Sequence, residues 1–351
     1  MSYFRENIER MEGYSPGFQP KGEGWIKLNT NENPFPPSPK VLEALRQAID
    51  GRLRLYPSSG ADRVRETIGR VYGVDKECVI VGNGCDEVLS IAARAFLGEG
   101  QVLLMTRPTY TLYRVLGQIQ GAKVLEIPLN DDFTLQEELF SQNAQLTFIS
   151  NPNPPSGILY AKADMKRLCE GSAGVVVIDE AYADFAEGNC LDLVGQHDNV
   201  VIARSLSKTL SLAGLRVGFG IADRELIRGM MKVKDSYNVS SLSQVGAAAA
   251  LEDVDYTLEK VREVCREREV LTEGLWALGW KVFPSQANFV FTLPAELPAS
   301  EIYEELFRRK ILVRYFDTPE TKDGLRITIG SPEENRRVLE AVRAIIGGKE
   351  R

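Results

Sequence analysis

The sequence predicts an α/β fold, in which a large domain with a mostly parallel seven-stranded sheet flanked by helices is followed by a small α+β domain. Three observations carry that expectation. From Cys78 to Gly220 short β-branched runs alternate with amphipathic stretches, the repeat of βα units around a parallel sheet. At 351 residues the chain exceeds one ordinary domain and is long enough to bury a sizeable core. Its 44% hydrophobic and 26% charged residues are the balance of a globular protein, with no sign of disorder or a fibrous repeat.

Taken in order, residues 1–30 carry Pro16, Pro20 and several glycines without a clear period, and read as an extended N-terminal arm. Residues 31–245 are assigned to the large domain. Its apolar runs CVIVG (78–82), QVLLMT (101–106), AKVLEIP (122–128), QLTFIS (145–150), GVVVIDE (174–180), NVVIARS (199–205) and RVGFGIA (216–222) read as buried strands. Helices are expected between them at 86–96, 110–120 and 162–170, where apolar residues recur at helical spacing. After Ser243 the alanine-rich GAAAALEDVD opens one long helical connector reaching about Trp276. Residues 246–351 are assigned to the small domain, with strands NFVFTL (288–293), ILVRYF (311–316) and GLRITIG (324–330), a helix at 300–310 and a terminal helix from Pro332.

Composition excludes several functions. A formal net charge of -7 argues against a nucleic-acid partner held by phosphate neutralisation. The opening MSYFRENIERM lacks the apolar core of a secretory signal, and no stretch is long and apolar enough to span a bilayer, so no membrane partner is expected. Five cysteines stand singly with no CxxC pair, and His197 is the sole histidine, which predicts a reducing cytoplasm and no metal site. Whatever base this chain uses, histidine is a poor candidate for it.

The chemistry-bearing residues sit at strand ends. In SLSKTLSLAGLRVGFG (205–220) a strand delivers Ser205 and Ser207 to a turn, Lys208 follows, and Arg216 lies just beyond. An amine is thereby set beside hydroxyls and a guanidinium that suit a phosphate. Asp179 and Tyr182 follow the buried run GVVVID within DEAYADF (179–185). Gly84, Cys85 and Asp86 form a strand-to-helix turn in GNGCDEVLSIAARAF (82–96), and helix N-termini present unpaired N–H groups to anions. Tyr110 opens a helix in RPTYTLYRV (107–115), and NPNPPSG (151–157) places two asparagines in a proline-rich turn.

These segments, in this order, resemble the fold-type I pyridoxal 5′-phosphate (PLP) dependent aminotransferases over nearly the whole chain. The resemblance implies that Lys208 forms the Schiff base to PLP and shuttles the substrate's Cα proton. It implies that Asp179 faces the pyridine nitrogen, that Tyr182 donates to the ring's phenolic oxygen, and that Tyr110 covers one ring face. Gly84, Cys85, Asp86, Ser205, Ser207 and Arg216 are implied as phosphate ligands. Pro154 stands where the family's phenolic-oxygen asparagine is usual, which leaves Asn153 as the nearest substitute and Asn151 as the fallback.

Among these aminotransferases the chain is most similar to the histidinol-phosphate aminotransferases, by Asn-Glu-Asn-Pro at 31–34, Tyr-Pro at 56–57 and SLSK followed directly by TLSLAGLR. That likeness implies transfer of an amino group between L-histidinol phosphate and 2-oxoglutarate in histidine biosynthesis. Arg326, Arg314 and Tyr14 are then the expected substrate contacts, because a guanidinium matches both carboxylate and phosphate. Tyr56 resembles the tyrosine that reaches the cofactor phosphate of a neighbouring subunit, which implies a homodimer. A broad-range or aromatic aminotransferase and a threonine-phosphate type decarboxylase remain alternatives.

Overall fold

A computed structural model describes residues 2–348. In chain order the elements of the first part are α1 (Glu6–Arg10), β1 (Ile26–Lys27), α2 (Pro39–Ala48), α3 (Asp62–Tyr72), β2 (Val79–Gly82), α4 (Cys85–Phe96), β3 (Val102–Arg107), α5 (Leu112–Ile119), β4 (Lys123–Pro128), β5 (Leu146–Ser150), α6 (Lys162–Gly171), β6 (Val175–Asp179), β7 (Val200–Ser205) and β8 (Gly218–Ala222). There follow α7 (Arg224–Val233), α8 (Ser241–Leu251), α9 (Val254–Trp276), β9 (Lys281–Val282), β10 (Phe289–Leu293), α10 (Ala299–Arg308), β11 (Ile311–Leu312), β12 (Arg314–Tyr315), β13 (Leu325–Thr328) and α11 (Pro332–Gly347).

The seven apolar runs all become strands of one sheet, ordered β2-β8-β7-β6-β5-β3-β4. Only β8 runs antiparallel to its neighbours. Every residue of β5, β6 and β8 is buried, the pattern of strands covered on both faces. Apolar clusters lie on each side, one around α4, α5 and α7, others around α6 and around α2, α3 and α8. The carboxyl ends of β3, β5, β6 and β7 therefore open on one side, where ligands of open α/β sheets bind.

A second sheet, ordered β12-β13-β10-β9, is antiparallel and packs with α9, α10 and α11 into the C-terminal unit. Three expectations need correction. The connector is not one helix: it breaks between Leu251 and Val254, where the Asp253 carboxylate accepts from Ser38 and Lys40 at the start of α2. The α8 residues Ala247, Ala250 and Leu251 pack with the large sheet's cluster. Nor is 311–316 a single strand. Ile311 and Leu312 pair in parallel with Ile26 and Lys27, while Arg314 and Tyr315 pair with β13. The N-terminal arm is thus extended only in part, with a short helix at α1 and a strand bound into the C-terminal unit, whose cluster includes Ile26 and Leu28.

Candidate active site

At the carboxyl edge of the large sheet lies a cavity of about 440 Å³, walled on its other side by the C-terminal unit. Lys208 lines it from the turn after β7, with Nζ donating to the Thr30 carbonyl at 2.9 Å. Partly desolvated and close to the Arg326 guanidinium, this amine is lowered to about 8, because both surroundings disfavour its charged form. The two asparagines of the 31–34 run brace neighbouring parts of the site: Asn33 Nδ2 donates to the Lys208 carbonyl at 3.0 Å, and Asn31 Nδ2 to the Tyr182 hydroxyl at 3.0 Å. Tyr182, accepting from Asn31, keeps its own proton for the cavity; burial raises it to about 12.

Asp179 ends β6 and is buried, with no cation paired to it among the described residues. Burial pushes its carboxyl up to about 6, and the Tyr113 hydroxyl, donating to Oδ2 at 2.7 Å, opposes that rise. The Ala181 N–H donates to Oδ1 at 3.0 Å, and the Cys85 thiol points to the same oxygen at 3.9 Å. A buried carboxylate without a cation of its own fits a site meant for a cationic ligand atom, such as a protonated pyridine nitrogen.

Beside it the cavity wall has the opposite character and suits an anion. Cys85 and Asp86 begin α4, whose first turn has no side-chain cap, and both line the cavity. Ser207 Oγ is buried without a hydrogen-bond partner, beside Ser205, whose hydroxyl accepts from the Ser207 N–H at 3.2 Å. Arg216 completes the group, its guanidinium pairing with Asp86 at 3.0 Å. Gly84 holds φ at 89°, and a Cβ there would stand 2.5 Å from the Arg216 guanidinium, so only glycine admits that approach. Helix N–H groups, an orphaned hydroxyl and an arginine are what a phosphate requires. Tyr110 lines the cavity next to them, its hydroxyl donating to Asp86 at 3.0 Å and its ring 5.6 Å from that of Tyr14, edge to face. The residues present thus fit PLP at both its ring nitrogen and its phosphate.

Arg314 and Arg326 face each other across β12 and β13 and line the same cavity. Neither pairs with a carboxylate among the described residues. Arg326 Nη2 donates to the Asn29 carbonyl at 2.8 Å while Nε is buried without a partner. Burial lowers Arg326 to about 10, and Arg314 beside it works in the same direction. Two adjacent guanidinium groups with spare donors are a built anion site.

Three residues named from the sequence are not brought to this cavity. Asn153 is buried but its amide is committed elsewhere, Oδ1 accepting from Thr109 and Nδ2 donating to the Pro108 carbonyl at 3.0 Å. Asn151 is equally engaged, by Tyr160, so the wall here is Pro154 and Pro155 and neither asparagine reaches the site. Tyr56 lies on the outer surface, 81% exposed and stacked on Tyr237 at 4.5 Å, away from this chain's own cavity. Sequence reasoning in turn missed Tyr113, Asn31 and the far wall. There Arg107 pairs with Glu320 of the C-terminal unit, and Arg114 with Glu126 at 2.6 Å. The one available signal for Tyr113 was a tyrosine on an apolar helix face, whose hydroxyl needs a partner when buried.

A fold with this cavity at the carboxyl edge of its sheet, holding a half-buried lysine, a lone carboxylate and an anion cradle, defines an aminotransferase of class I and II; the model of that family matches residues 23–342. Histidinol-phosphate aminotransferase 1 of Trichormus variabilis is 46% identical over 98% of this chain and 99% of its own length. The histidinol-phosphate aminotransferase of Geotalea uraniireducens is 44% identical over 97% and 99%. The chain therefore belongs to the histidinol-phosphate aminotransferase family. In fold it matches the histidinol-phosphate aminotransferase of Sinorhizobium meliloti, solved in complex with pyridoxal-5′-phosphate, with a TM-score of 0.89 at 24% identity, covering 98% of this chain and 99% of that one.

Proposed function

We propose that this chain is a PLP-dependent enzyme that moves an amino group between L-histidinol phosphate and 2-oxoglutarate, in histidine biosynthesis and in the cytoplasm. The observation that carries the reading is the meeting, in one cavity, of the Lys208 amine with a paired-arginine anion site, in a chain 46% identical to a histidinol-phosphate aminotransferase over nearly its full length. The chemistry supplied by bound PLP is a carbonyl that exchanges with the substrate amine, and a ring that delocalises the electron pair left when Cα loses its proton.

The chain's own residues do the rest. Lys208 would hold the cofactor covalently, and its freed Nζ would take the proton from the substrate's Cα and return it at the other end of the transfer. An amine lowered to about 8 is suited to that work, because its free-base form is accessible near neutral pH. Asp179 supplies the negative charge that keeps a pyridine nitrogen protonated. Tyr182 donates to the ring oxygen without help from the 151–157 turn, and Tyr110 covers the ring. Cys85, Asp86, Ser205, Ser207 and Arg216 hold the cofactor phosphate. Arg314 and Arg326 hold the substrate's phosphate or carboxylate, with Tyr14 at the entrance.

The active unit is a homodimer. Tyr56 stands on a face that also exposes Ile49, Leu53 and Leu55, an apolar strip suited to a second copy, and from there its hydroxyl serves the partner's cofactor phosphate. The deciding experiment measures half-reactions of the PLP-loaded protein with histidinol phosphate, phenylalanine and threonine phosphate, following amino transfer and carbon dioxide release. Histidinol phosphate is expected to react fastest and without decarboxylation. Preferred turnover of phenylalanine rejects the substrate, and carbon dioxide from threonine phosphate rejects the reaction.

A further inference from the structure

We propose that Tyr113 is a positioning residue for the acid of this site: its buried hydroxyl aims the Asp179 carboxylate at the cavity and holds it in the charged form. The inference rests on the cofactor reading above and deepens it. Tyr113 does not itself line the cavity. Its ring is fully buried on α5, stacked on Phe148 of β5 at 5.0 Å between centroids and edge-on to Tyr110 at 5.6 Å, so the hydroxyl has one fixed direction. It donates to Asp179 Oδ2 at 2.7 Å, the short contact of a hydroxyl with a carboxylate.

The two carboxylate oxygens are unequally served. Oδ1 has the Ala181 N–H at 3.0 Å and the Cys85 thiol at 3.9 Å, a weak donor at long range, whereas Oδ2 depends on Tyr113. The charged and titratable groups around Asp179 are Cys85 and Asp86 at the start of α4, Tyr113 on α5, Tyr182 on the turn after β6, and the cavity cations Lys208 and Arg216. Burial and the like charge of Asp86 push the carboxyl toward its neutral form, and Tyr113 is foremost among the groups resisting them. The phenol itself is pushed well up by burial and by Asp179, so it remains a donor at every working pH. Without it, Asp179 takes up a proton close to neutral pH and offers no charge to a cation in the cavity.

The test is the dissociation constant of PLP from the cofactor-free protein, followed by absorbance across pH. Tyr113→Phe keeps the ring stack and removes only the hydroxyl. The variant is expected to match the unaltered protein near about pH 9 and to diverge as pH falls, its acid midpoint rising by about one pH unit and its affinity falling about twofold at about pH 7 and about tenfold by about pH 5. Adding Cys85→Ser to Tyr113→Phe restores an O–H beside the carboxylate and brings the midpoint part of the way back. A loss equal at every pH, as a mere packing role gives, or an unmoved midpoint overturns the proposal. Should Tyr113→Phe not fold, Cys85→Ser alone is expected to lower the midpoint, and its failure to do so is equally decisive. Failure of the unaltered protein to take up PLP on Lys208 is a different result, which removes the cofactor reading first and this inference with it.

Discussion

Asp179 is kept in a place its charge disfavours, and the fold without cofactor bears the strain. Its carboxyl stands at about 6 in the folded protein against an ordinary 3.8, so the folded state binds the extra proton. The stability tied to that proton is complete below the unfolded value and is lost as pH rises through about 6. Asp179→Asn is therefore expected to stabilise the cofactor-free protein near neutral pH by roughly 1–3 kcal/mol, with the gain vanishing below about pH 4, while transamination collapses. Thermal melts across pH read the first effect and half-reaction rates the second. Lys208 carries the mirror-image prediction: in the cofactor-free protein its acylation should titrate near 8, whereas exposed lysines titrate above 10, as peptide mapping after pulse labelling will show. Both residues were legible in the sequence, because each follows an apolar run that fixes where the strand ends. Asn153 and Tyr113 were not. Which way an amide turns, and which hydroxyl finds a buried carboxylate, depends on atoms far away in the chain.

Among the elements, long strands were readable and short ones were not. Each of the seven strands in the large sheet has a core of consecutive apolar residues, whereas β1, β11 and β12 have two residues apiece and no period to detect. The split of 311–316 matters for chemistry, since it sets Arg314 directly opposite Arg326. Like charges placed opposite each other on neighbouring strands repel, and an anion bound between them relieves that repulsion. A dianionic phosphate relieves it more fully than a carboxylate. Arg314→Ala is thus expected to lower kcat/KM for histidinol phosphate more than for glutamate, by roughly 1–3 kcal/mol in transition-state terms, and Arg326→Ala to harm both alike. Equal losses for the two substrates in Arg314→Ala reject the division of labour.

For the molecule as a whole, Tyr56 on the outer surface and Lys208 in the cavity belong to different sites if two copies complete each other. Mixing Tyr56→Phe and Lys208→Ala proteins of low activity should then regain about a quarter of full activity, because random reassortment makes half the dimers hybrid, each with one intact site. Recovery that fails in a mixture shown by native mass spectrometry to contain hybrids removes the shared site. The overall architecture was legible in the order of motifs, but the closure of the chain on itself was not. The Asn31 N–H donates to the Thr328 hydroxyl, 297 positions later, and β1 lies against β11. During translation the segment that braces Lys208 leaves the ribosome first, yet its partners emerge almost last. The large sheet can form on the nascent chain well before that, so a truncated product would be folded in its greater part and still have an unformed catalytic cavity.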